Sequence, residues 1–207
     1  MHHKLGRLLW DKPVRHAAVA ISILLFCFLL GLLSGVIAAY RMSPAAKIHL
    51  TGTLRNYVLA AEAGTLTSSP LSVILSSVAP PLLILLLGTV PAGTLGIPLV
   101  FAWQGFHAAY GVAAIARLPG VSKGLLAALS LSGGRLLFMT LSLTLAGLDG
   151  LMRSMAIRRM AGGTMLPQKQ YLLSGAIALV PAILAVVWEI ILTPRLAAWA
   201  LPFFITI

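Results

Sequence analysis

Apolar residues run almost unbroken through "AAVAISILLFCFLLGLLSGVIAAY" (17–40), directly after the basic tail "MHHKLGRLLWDKPVRH". A membrane-crossing helix needs roughly 20 mostly apolar residues. The apolar core of a signal peptide has about 7–15, so the run reads as an uncleaved first span. The pattern then changes. Between 43 and 70, Ile48, Leu50, Leu54, Tyr57, Val58 and Ala61 recur near helical spacing, with Lys47, Thr51, Arg55 and Glu62 mostly between them. That spacing predicts an amphipathic helix over about 45–63, lying on the membrane surface and ended by "GTLTSSP". Further apolar runs predict spans at about 71–88, 95–116, 125–147 and 171–193. "TVPAGT" and "RLPGVSKG" separate the first, second and third of these. Pro80 and Pro81 fall inside the second span and are expected to kink or break it. A polar loop with Asp149, Arg153, Arg158, Arg159 and Lys169 is expected before the last span, and Pro194 is expected to stop that span. The final 14 residues are too short to cross again and are placed along the interface. The expected architecture is a single all-α, polytopic membrane bundle of about five transmembrane helices plus an extracytoplasmic amphipathic helix.

Composition agrees with this pattern. Of 207 residues, 59% are apolar and 9% charged, where soluble domains carry about 25% charged residues. The net charge of +11 raises the question of nucleic acid. The basic residues, however, are scattered over short loops without aromatic interleaving, which points to topology and anionic lipid instead. With the N-terminus inside, the inner segments hold Lys4, Arg7, Lys12, Arg15, Arg153, Arg158, Arg159 and Lys169. The outer ones hold Arg41, Lys47, Arg55, Arg117, Lys123 and Arg195. The dense first tail favours an inside N-terminus and an outside C-terminus. Cys27 is the lone cysteine and sits in an apolar run, so no internal disulfide can form.

Four features could carry chemistry. Gly31 and Gly35 form a G-x-x-x-G in the first span, and Gly105 and Gly111 supply small residues in the third. Such residues let helix backbones approach closely, within the chain or in a homo-oligomer. Gln104, His107, Ala108 and Gly111 share one face of the third span. His107 and Arg135, on consecutive spans, both lie roughly 15 Å from the outer ends of their helices. A Gln104/His107–Arg135 hydrogen-bond cluster is therefore expected, either as a tie between helices or as a functional site. Ser132 beside Gly133 and Gly134 suggests a serine–histidine pair with His107, but there is no G-x-S-x-G frame. The two glycines read more simply as loosening the span or admitting a neighbour's backbone. Finally, Glu189 stands about 6 Å inside the outer end of the last span. A lone carboxylate there would be costly, and Arg117 and Lys123 of the outer turn are its expected cation partners. Nothing in the sequence suggests a metal cluster, a phosphate loop, paired carboxylates or a resident cofactor.

In their order, these segments resemble the stage II sporulation protein M family of spore-forming bacteria. The resemblance rests on "FLLGLLSGVI" in the first span, "GIPLVFAWQGFHAAYGVAAIA" in the third and "VVWEIILTPRL" at the end. The last has a span-embedded glutamate followed by apolar residues, a small hydroxyl residue and proline. Relatives often carry a Pro-His/Gln-Gly/Asn pattern in the fourth span, where this chain has "LSLSGGRLLF". The resemblance implies a non-enzymatic protein of the cytoplasmic membrane that anchors or recruits two peptidoglycan-degrading partners, stage II sporulation proteins D and P, during engulfment. The alternative is a small permease-like subunit, working with a separate ATPase, whose Gln104, His107 and Arg135 line a path.

Overall fold

A computed structural model describes residues 2–63, 69–117, 124–159 and 168–200. The described chain is all-α: α1 (His2–Tyr40), α2 (Pro44–Glu62), α3 (Pro70–Leu87), α4 (Gly93–Ala116), α5 (Gly124–Arg159) and α6 (Gln168–Val187). A π-helical turn (Trp188–Leu192) and α7 (Thr193–Ala200) complete it. Among the described residues, five stretches are long and apolar enough to cross a membrane: Ala17–Tyr40, Pro70–Leu87, Gly93–Ala116, Ser132–Arg158 and Tyr171–Ala197. The fold is a polytopic bundle with one further helix, α2, outside these stretches.

Several boundaries differ from the sequence expectation. α1 begins at His2, so the basic tail is helical rather than a separate segment. α5 continues through the expected polar loop to Arg159. Pro80 and Pro81 do not end α3. They supply no N–H to the carbonyls of Ser76 and Ser77, and a membrane helix tolerates this when side chains and neighbouring helices satisfy freed groups. Pro194 does not stop the last span either. The chain passes through a π turn, in which the Thr193 N–H bonds the Trp188 carbonyl five residues back, and continues as α7. Glu189 therefore lies about 12 Å from the end of the Tyr171–Ala197 stretch, at about 1.5 Å per residue, deeper than expected.

α1 and α4 form the most extensive helix pair, and they run parallel, since Gly31 meets Ala102, Gly35 meets Phe106 and Ala39 meets Arg117. A Cβ on Gly31 would stand 2.0 Å from the Ala102 carbonyl oxygen, and one on Gly35 would stand 2.4 Å from that of Phe106. From the other side, a Cβ on Gly105 would stand 2.4 Å from the Phe28 carbonyl oxygen. The G-x-x-x-G is thus spent inside the chain, where absent side chains let two backbones touch. Among the described residues, nothing lies within 4 Å of where a Gly111 Cβ would be. α5 crosses the bundle antiparallel to α4 and α6. Leu24 of α1, Ile84 of α3, Ile97 and Phe101 of α4, Leu143 and Leu151 of α5 and Ala178 of α6 meet in one core. The Cβ-less Gly147 lets the Phe101 ring lie against α5.

Candidate functional site

The polar chemistry of the bundle gathers where α3, α5 and the π turn meet. Gly134 and Arg135 are neighbours on α5, and Trp188 and Glu189 are neighbours on the π turn. The two pairs face each other. A Cβ at position 134 would stand 2.0 Å from Cε2 of Trp188, so only glycine admits the indole. The ring also packs on Phe138, with centroids 5.9 Å apart. With Trp188 seated on α5, the adjacent Glu189 reaches Arg135. Arg135 Nη1 donates to Glu189 Oε1 at 3.1 Å and lies 3.0 Å from Oε2. The second approach lacks hydrogen-bond alignment, so Oε2 is a buried acceptor held by charge alone. Arg135 Nη2 donates to Ser76 Oγ at 2.8 Å. Ser76 is at the turn of α3 loosened by the two prolines. One guanidinium therefore ties three elements together, using the fork of donors that lysine lacks.

A π turn inserts one residue into a helical turn and often marks a functional position. Here it carries the acid. Across it lies α2, which packs against α7. Tyr57 of α2 is half-buried, and its phenol is pushed above the usual tyrosine range by burial first and by the negative charge of Glu189 second.

A second polar junction holds the opposite end of α5. Ser174 Oγ donates to Asp149 Oδ2 at 2.5 Å. The Arg153 guanidinium lies 4.0 Å above the Tyr171 ring, and the Tyr171 hydroxyl donates to the Leu85 carbonyl of α3. Between the two junctions, buried Ser142 donates to the Ala178 carbonyl at 2.7 Å. The sequence pattern assigned Asp149 and Arg153 to a loop. Their contacts arise because α5 continues past them as helix.

Most of the expected pairings are rearranged. Arg135 bonds Glu189 and Ser76, so the expected Gln104/His107–Arg135 cluster does not form among the described residues. His107 is exposed, with its ring 4.4 Å from that of Trp103. Arg117 does not reach Glu189. Its guanidinium lies 3.9 Å over the Tyr40 ring, with a long 3.5 Å bond to the Ala39 carbonyl, and so ties the ends of α1 and α4. Lys123 lies outside the described residues. Ser132 donates to the Ala128 carbonyl of its own helix at 2.7 Å. The partner admitted at Gly134 is an indole side chain rather than a backbone. Among the described residues, no three His, Cys, Asp or Glu side chains converge as metal ligands would.

The signal that could have found the site is the register itself. A glycine followed by arginine on one span, and tryptophan followed by glutamate on another, is complementary in both shape and charge. Compared with family models, curated proteins and solved structures, the chain has no match in any of the three.

Proposed function

We propose that this chain is a non-enzymatic membrane scaffold. In this reading it acts at the cytoplasmic membrane of a spore-forming bacterium, as its resemblance to stage II sporulation protein M implies. Its N-terminus is inside, and it holds peptidoglycan-degrading partners akin to stage II sporulation proteins D and P outside. The observation that carries the reading is where the Arg135–Glu189 pair is spent. It fixes the π turn, and the π turn fixes α7, on which the surface helix α2 rests. α2 leaves His49, Arg55 and Asn56 exposed, a polar and basic surface suited to a protein partner at a membrane.

The test is co-purification of the full chain with the two hydrolases from sporulating cells. Wild type should retain both, while Arg55→Glu combined with Asn56→Ala should lose them at unchanged protein level. Normal retention by that variant, or no retention by wild type, would remove the support for α2 as the docking surface.

A further inference from the structure

Gln104 sits in the middle of α4, within the Gly93–Ala116 stretch, where hydrocarbon is driest. Its amide offers two donors and an acceptor. Among the described residues the side chain has no hydrogen-bond partner; Arg135, the expected one, is engaged elsewhere. The amide borders an open groove of about 780 Å³ between α3 and α4, lined otherwise by apolar groups that include Ala79, Pro80 and Leu83. Beside it the outer face of α4 is bare. Leu95 is 78% exposed, Leu99 70% and Trp103 61%, and His107 continues the row.

Lipid tails can cover leucine and tryptophan, but they cannot bond an amide. A polar side chain in a span is ordinarily satisfied by another helix. The helix that fits must carry a donor and an acceptor at the depth of Gln104. A second copy of this chain, inserted with the same topology, does so necessarily. Symmetric dimers use one patch twice, so the patch must complement itself, and an amide does. The small-residue motif of α1 is already consumed against α4, and the α3–α4 face is the open one that carries an unpaired amide at mid-span.

We propose that the open α3–α4 face is the interface of a parallel homodimer. The Gln104 amides of the two copies bond reciprocally across a two-fold axis along the membrane normal. Trp103 of each copy enters the groove beside Ala79 and Pro80 of the other. This inference is independent of the sporulation reading, because it concerns the chain alone.

The experiment uses the purified full chain with Cys27→Ser, reconstituted in phospholipid vesicles. Energy transfer between labelled copies, diluted with lipid, gives the dissociation constant. Gln104→Leu should weaken association about tenfold, the effect of losing one or two interhelical hydrogen bonds. It should leave the thermal stability of detergent-solubilised monomer unchanged or higher, since no partner within the copy is lost. Oxidation of Leu99→Cys should give a covalent dimer, and Ile177→Cys, on the open face of α6, should not. A monomeric wild type in vesicles would overturn the proposal and leave the groove to lipid or to a different transmembrane helix. So would association unchanged by Gln104→Leu, or equal cross-linking at 99 and 177.

Discussion

Removing the charge of Glu189 tests the junction most directly. The side chains of Arg135 and Glu189 are 29% and 21% exposed. This lies between a solvated pair, worth about 0.2–1 kcal/mol, and a fully buried one, whose disruption costs about 3–5 kcal/mol. Glu189→Ala leaves the guanidinium with only Ser76 as partner. A cost of about 2–3 kcal/mol follows by interpolation, or a roughly 30- to 150-fold drop in the folded-to-unfolded ratio. Glu189→Gln keeps an oxygen for Nη1 and loses only the charge assistance, so it should cost about 1 kcal/mol. The double variant Arg135→Leu/Glu189→Leu leaves no orphan charge. It should be less destabilised than the two single leucine variants together, by about 2 kcal/mol. Reversible unfolding in mixed micelles, followed by helicity, gives the four corners of the cycle. A coupling below about 0.5 kcal/mol, the level found for independent sites, would refute the pair as a structural tie. A cycle built on Arg117 and Glu189 should show no coupling, because Arg117 is held over Tyr40 instead.

Three further outcomes are expected. Gly134→Ala should displace Trp188 and cost about 1–3 kcal/mol through overpacking. Gly133→Ala, whose Cβ would meet Leu129 Cβ at an ordinary 3.9 Å, should be neutral or gain up to about 1 kcal/mol in helix propensity; equal effects in an unfolding assay would contradict the seating of the indole. Tyr57 should titrate above the ordinary tyrosine value of about 10. Because the folded phenol is held neutral, the stability it contributes is present below that pH and fades as pH rises through the raised value. Ultraviolet difference titration of wild type against Tyr57→Phe reads this, and Glu189→Gln should bring the midpoint only part of the way down, since burial is the larger cause; a midpoint at the ordinary value would mean that α2 does not pack over the site. For topology, an impermeant thiol reagent on intact cells should label Asn56→Cys and Gly120→Cys and spare Leu5→Cys and Met160→Cys, each in a Cys27→Ser chain; labelling at 160 would reverse the orientation.

Hydropathy by itself determined the all-α class and the stretches long and apolar enough to cross a membrane. A run of about 20 apolar residues has few options other than a spanning helix, because hydrocarbon forces every backbone group to bond within its own segment. The odd position of Glu189 was equally plain, since an acid in such a run demands a partner. Which partner it takes was not legible. Nearness along an outer turn points to Arg117 and Lys123, and equal depth points Arg135 to Gln104 and His107. Depth is one coordinate; the pairing depends on rotation about each helix axis and on which helices touch. Those are settled by packing: Gly31, Gly35 and Gly105 bring α1 against α4, and Gly134 makes the slot that turns Trp188 inward and carries Glu189 to Arg135. Pro194 shows the same limit from the other side. Its missing N–H predicts a disturbed helix, but whether the chain stops or takes a π turn and goes on depends on the neighbours that hold the next turn in place. Composition along one chain specifies how much must be buried and at what depth, and contact between helices decides what each polar group finds there.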